Sequence, residues 1–311
     1  MSRVDEAMRR AAGLGSEDGP APDSGAVAPS IELAGAAALP MLFPVERSER
    51  RRPRESAPRP VEPGPPAAAP EAAGATAATA LLERLDPLLA QKLVGAGATS
   101  VSREQYRRLA AALHHAQAAN GTKVVMIASA VPGEGKTLTA MNLALTLSES
   151  YQRSVLLIDG DLRKPGLHTA FRVSNGFGLG EGLASVGERK LPVHQITPRL
   201  SLLPAGHPTP DPMAGLTSER MKRVLDEARE GFDWVVIDTP PVAVLSDANL
   251  LAAMVDAAIL VVKAGSTPVD MVQRAIEAIG RDRTIGVVLN RADPGENSSG
   301  YGHYGHYYTQ S

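Results

Sequence analysis

The apolar residues of this chain fall in short unbroken runs, and most runs are followed by a stretch with helical spacing. Strands are predicted at 123–129, 154–159, 200–204, 233–238, 256–263 and 284–290, all rich in Val, Ile and Leu. Helices are predicted over 102–119 with Ser102 as N-cap, 136–150, a short stretch after Pro165, 217–230, 247–254 and 268–279. One more is expected over 77–93, interrupted near Pro87. Strands that are apolar on both faces must be covered on both faces. With helices between them, they predict an α/β protein with a mostly parallel sheet and helices on both sides.

Composition changes this picture at the ends. Twelve of the 25 prolines lie in residues 1–70, among Ala, Gly, Ser and Glu with almost no aromatics. Such a stretch cannot bury enough apolar surface to fold, so a disordered Pro/Ala-rich arm is expected over 1–78. It contains an apolar island, Leu39–Pro44, and six arginines within 47–60. The arginines read either as a solvated linker, diluted by Glu49 and Glu55, or as a contact for an anionic surface. The folded domain is expected over 79–294, about 210 residues and ample for one core. Residues 295–311 read as a flexible tail, with four of the six tyrosines at 301–308.

Charge and special residues exclude some classes. A net charge of −2 gives no reason to expect nucleic-acid binding. The absence of cysteine rules out disulfides and thiolate metal sites. No signal-like segment opens the chain and no run of about 18 apolar residues occurs, so a cytoplasmic protein is expected.

The candidate chemistry sits at predicted strand ends. Ala130-Val-Pro-Gly-Glu-Gly-Lys-Thr137 follows the first strand and opens a helix, the arrangement of a phosphate-binding loop. Glycines at 133 and 135 allow close backbone approach, Lys136 reaches the β/γ-phosphates, and the Thr137 hydroxyl meets Mg²⁺. The common pattern has glycine where Ala130 stands. Asp238 ends the strand Trp234–Ile237 and fits a second, metal-holding acidic element. Asp159 and Asp161 straddle another strand end with Arg163 behind. They read as metal and proton-accepting groups, or as a simple Asp-Gly-Asp turn. The tail tyrosines read as phosphate acceptors, as a sticky low-complexity segment, or with His303 and His306 as a weak metal site.

Together with Leu156–Pro165, Val236–Pro241, Pro204-Ala-Gly206, Ser246-Asp-Ala248 and Val287–Arg291, these motifs resemble the bacterial tyrosine autokinases of capsule and exopolysaccharide assembly. The resemblance covers residues 100–311 and implies a P-loop NTPase fold using ATP and Mg²⁺. It implies nucleotide contacts from Pro132, Gly133, Glu134, Gly135, Lys136, Thr137 and Leu138, and metal contacts from Thr137, Asp159 and Asp238. Lys136, Asp159, Asp161 and Arg163 would be catalytic, with Asp159 as base. Tyr301, Tyr304, Tyr307 and Tyr308 would be autophosphorylated between subunits of a ring. The stand-alone branch that the chain resembles implies a membrane polysaccharide co-polymerase as activator, recruitment to the inner membrane face, and a cognate tyrosine phosphatase. The family's ring contact, Glu-x-x-Arg-x-x-Arg, is incomplete, since Glu104 and Arg107 are followed by Ala110. The alternative is a Min/Par-like, partner-regulated ATPase. That class carries a second loop lysine where Val131 stands and lacks a tyrosine tail.

Overall fold

The computed structural model describes residues 85, 87–94 and 98–292, apart from 186, 188 and 244–246. The N-terminal arm up to residue 84, with its apolar island and arginine run, and the tyrosine tail lie outside the described residues.

Seven strands make one sheet: β1 (Val124–Ser129), β2 (Val155–Asp159), β3 (His194–Thr197), β4 (Leu200–Leu203), β5 (Trp234–Asp238), β6 (Ala257–Lys263) and β7 (Thr284–Asn290). Their order is β3-β4-β2-β5-β1-β6-β7, and every pairing is parallel except that of β3 with β4. β1, β2 and β5 are buried at every position, as their unbroken apolar sequences require. Their side chains alternate between two cores. Val124, Met126 and Ala128 join one, with Leu156, Ile158, Val235 and Ile237. Val125 and Ile127 join the other, with Val155, Leu157, Trp234 and Val236.

The first core is closed by α7 (Glu219–Gly231) and α9 (Val269–Ile279), through Met221, Val224, Leu225, Ala275, Ile276 and Ile279. The second is closed by α2 (Ser100–Asn120) and α3 (Lys136–Leu145), through Ala110, Leu113, Met141, Leu143 and Leu145. α3 runs on into one π-helical turn, Thr146–Ser150, which accounts for the helix expected to residue 150; three short helices, α4 (Leu167–Phe171), α5 (Leu179–Ala184) and α6 (Met213–Leu216), precede α7.

Two local expectations are corrected. Thr99, not Ser102, caps α2: its hydroxyl accepts the Ser102 amide at 3.2 Å, and the helix starts at Ser100. Pro87 opens a one-turn helix, α1 (Pro87–Ala90), where its missing N–H is no loss, and most of the helix expected before it lies outside the described residues. β3 has no counterpart among the expected strands, because four partly polar residues, His-Gln-Ile-Thr, carry too weak a pattern; β4 supplies the pairing and a bulge absorbs the mismatch.

β1 and β2 are consecutive in sequence, yet β5 lies between them and pairs with both. From β1 the chain passes to β2 on one side and, after β5, to β6 on the other. A crevice therefore opens at the carboxyl ends of β1, β2 and β5, the place where open α/β sheets bind ligands.

Candidate active site

The phosphate loop leaves the end of β1 and enters α3. Gly133 and Gly135 take positive φ, 82° and 97°. The conformation favours glycine at 135, and a Cβ there, 2.0 Å from Asn290 Nδ2, would also displace the Asn290 side chain. Gly135 caps α3 without a side-chain hydrogen bond, which leaves the first-turn amides directed at a ligand. Ala130 adopts no positive φ and is wholly buried in the first core, so the missing glycine costs the loop nothing.

The Glu134 side chain turns away from the loop's open side. Its carboxylate is buried and faces inward, accepting the Val131 amide at 2.8 Å, the Lys263 amide at 3.2 Å and the Thr267 hydroxyl. Its carbonyl accepts Asn290 Nδ2 at 2.8 Å. Glu134 thus braces the loop against the ends of β6 and β7, and only its backbone can meet phosphate. Leu138 is similar, since its side chain packs on the second core. Lys263, Thr267 and Asn290 had no signal of their own; only the Val287–Arg291 motif pointed at the region.

The acidic residues converge by strand register. β2 and β5 are parallel neighbours in which Asp159 is paired with Asp238, and Asp238 also stands beside Ile127 of β1. Lys136 Nζ lies 3.3 Å from Asp161 Oδ2 and 3.7 Å from Asp238 Oδ1. The Thr137 hydroxyl donates to Asp238 Oδ2 at 2.6 Å. Asp161 Oδ1 accepts the Lys164 amide at 3.0 Å.

Asp159 is fully buried. Its Oδ2 accepts the amides of Gly166 and Leu167, both at 3.0 Å, while its Oδ1 has no hydrogen-bond partner among the described residues. Burial first, and then the charge of Asp238, pushes its carboxyl up to about 7, against the pull of those two amides. Burial also raises Asp238, opposed by Lys136 and the Thr137 hydroxyl.

Arg163 is drawn away from this cluster. Its Nε and Nη2 clasp the buried Asp247 at 2.5 and 3.2 Å, and Nη1 donates to the Pro210 carbonyl. It ties the Asp161 loop to the start of α8 (Asp247–Ala252) and to residue 210. Asp247 is a partner that the sequence signals only through the Ser246-Asp-Ala248 motif.

The donor set fits a nucleotide with Mg²⁺. Besides Asp159 Oδ1, Asp238 Oδ1 lacks a hydrogen-bond partner among the described residues and has only the 3.7 Å contact with Lys136. With the Thr137 hydroxyl, these are hard oxygen donors of the kind Mg²⁺ takes. No group of three or more His, Cys, Asp or Glu side chains suited to a metal occurs among the described residues. A cation here would therefore take its remaining ligands from phosphate and water, as Mg²⁺ commonly does.

The ring-contact positions also lie among the described residues. Ala110 is wholly buried in the second core, whereas Glu104, Arg107 and Arg108 are exposed on α2. Arg108 Nε pairs with Glu104 at 3.5 Å, one turn back. An arginine at 110 would have to enter the core, so this helix offers one exposed face, Glu104–Arg107–Arg108, rather than the three-part contact.

The sheet order, loop and paired aspartates define a P-loop nucleotide-binding protein of the α/β class. No family model matches the chain. Individual proteins do. The tyrosine-protein kinase YwqD of Bacillus subtilis is 36% identical over 209 residues, covering 66% of this chain and 87% of that protein. The succinoglycan biosynthesis transport protein ExoP of Rhizobium meliloti is 35% identical over 226 residues, but the chain spans only 28% of its length. Among solved structures, the kinase domain of the Escherichia coli tyrosine kinase ETK superposes with a TM-score of 0.56 at 30% identity, over 61% of this chain and 77% of that one. The chain belongs to the bacterial tyrosine-protein kinases. Among the described residues no helix is long and apolar enough to cross a membrane.

Proposed function

We propose that this protein transfers the γ-phosphoryl of ATP to tyrosines of its own C-terminal tail, in the service of exopolysaccharide or capsule export. The observation that carries the reading is the convergence of Lys136, Thr137, Asp159, Asp161 and Asp238 at one sheet edge. Asp159 is buried there with its Oδ1 lacking a hydrogen-bond partner among the described residues, an oxygen that can take the phenolic proton.

The loop amides and Lys136 bind and orient the phosphates, and Lys136 offsets charge that builds on the transferring group. Thr137, Asp238 and Asp159 would hold Mg²⁺, which when bound neutralises phosphate charge. The tyrosine oxygen bonds to the γ-phosphorus as the bond to the β–γ bridging oxygen breaks. ADP leaves with that electron pair, and the phenolic proton passes to Asp159. Asp161, held by the Lys164 amide, positions Lys136. Arg163 holds the loop through Asp247.

The acceptors are Tyr301, Tyr304, Tyr307 and Tyr308, reached from a neighbouring subunit of a ring. A membrane polysaccharide co-polymerase serves as activator and recruits the protein to the inner membrane face, and a tyrosine phosphatase reverses the mark. ExoP, a biosynthesis transport protein by name, supports the export setting.

Incubation with labelled ATP and Mg²⁺ tests the reading. Phosphotyrosine is expected. Release of inorganic phosphate alone would indicate the Min/Par-like ATPase, and neither product would sink both. Lys136→Met should lower phosphotransfer by about 10²-fold or more, the loss of some 3 kcal/mol of charge stabilisation. Undiminished phosphorylation in the pure variant would overturn the assignment.

A further inference from the structure

A pocket of about 250 Å³ lies beside the catalytic loop and is separate from the phosphate site. Leu162 and Leu183 give its lining an apolar part, Gly180 and Ala214 are small, and Thr209 and Asp211 add side-chain oxygens. It is smaller than sites that hold a nucleotide or other drug-sized ligand, which run to about 300–1,000 Å³. An apolar body with a polar tip, one ring in size, suits it, and that is the shape of a tyrosine side chain.

The pocket is fastened to the chemistry. Leu162 stands between Asp161 and Arg163 in sequence. Its carbonyl accepts the Thr209 amide at 2.8 Å, and the Arg163 guanidinium holds the Pro210 carbonyl. Any shift of the catalytic loop therefore moves the 209–211 side of the pocket with it.

The chain carries a segment with matching spacing. Residues 301–307 repeat Tyr-Gly-His, which puts tyrosines at 301, 304 and 307, three residues apart. Leu162 of the pocket directly follows Asp161 in the chain, and three extended residues of a tail span about 10 Å. We propose that the pocket receives an unmodified tyrosine of the tail of a second copy while the tyrosine three residues away is phosphorylated, and so sets the register of the tail. This rests on the kinase reading above. Asp211 gives the pocket a direction of selection, because a phosphate of about −1.5 to −2 charge would be repelled by the carboxylate. Each modified tyrosine loses its place there, and the tail is released as it fills.

The test uses the full chain with ADP and Mg²⁺ and a fluorescent peptide of residues 295–311. Ala214 is exposed, so Ala214→Trp should fill the pocket without disturbing the core; Ala184→Leu fills it from another wall. Either should weaken the peptide about tenfold and leave ADP affinity unchanged. In turnover each should raise KM for the peptide and spare kcat. A peptide keeping only Tyr304 should bind wild type and variants alike. Phosphotyrosine at 301 and 307 should weaken the peptide with wild type, and Asp211→Asn should recover part of the loss. Equal binding of the full repeat by wild type and both variants would overturn the proposal, as would a single-tyrosine peptide that binds as well as the repeat. If phosphotyrosine still forms in those cases, only the register pocket fails; if wild type transfers no phosphate to any peptide, the kinase reading fails with it.

Discussion

Asp159 carries opposing demands at the scale of a single residue. Two amides orient one of its oxygens, yet burial and Asp238 oppose its charge. Its folded pKa lies near 7, above the ordinary value of 3.8. The folded protein thus binds the proton more tightly than the unfolded chain does. The sign follows: this group's contribution to stability is full below the unfolded value and is lost as pH rises through about 7. Asp159→Asn removes that loss, so without nucleotide or metal the variant's stability relative to wild type should rise as pH goes from about 4 to about 7 and level off above, read by urea denaturation. The same variant should transfer little phosphate while keeping much of its nucleotide affinity. Autophosphorylation at the wild-type rate would exclude Asp159 as base and leave Asp161 as the candidate.

At the scale of elements, the phosphate loop is held from several sides. Glu134 binds it to β6 and the segment before α9, and Asn290 binds it to β7. Behind it, α3 is tied to the segment that precedes α2. Buried Asn142 accepts the Val94 amide at 2.9 Å and donates to the Lys92 carbonyl at 3.2 Å. Asn142→Ala would leave one amide and one carbonyl without these partners, each worth about 1–3 kcal/mol when buried. A loss of unfolding free energy of that order is expected, seen as a lower urea midpoint with the slope unchanged. No change in midpoint would mean that water replaces the side chain. Nothing in the sequence marks Asn142, because an asparagine inside a helix has no pattern that names a partner 48 residues away.

For the whole molecule, the proposed function joins two separate sequence regions, the P-loop domain and the tail. Mass spectrometry after incubation with ATP should find phosphate on Tyr301, Tyr304, Tyr307 or Tyr308. Several phosphates of about −1.5 to −2 charge on so short a segment repel one another and an acidic site, so phosphorylated protein should elute later on size-exclusion chromatography. Phosphate confined to Tyr106 or Tyr151 would refute the account. Tyr151 is already engaged in the fold, since its hydroxyl donates to the Arg107 carbonyl at 3.1 Å and its ring meets His114 edge-on.

Every strand but β3, the parallel arrangement and the loop were legible in the sequence, because unbroken apolar runs and Gly-x-Gly-Lys-Thr are local signals. Asp159 and Asp238 were legible as strand-end carboxylates for the same reason. That they are register partners was not, since 79 residues separate them and only the insertion of β5 between β1 and β2 brings them together. The inward turn of Glu134, the withdrawal of Arg163 to Asp247 and the burial of Ala110 were likewise decided by packing. A motif fixes which groups stand near a phosphate; which way each side chain points depends on neighbours that the chain supplies from elsewhere in its length.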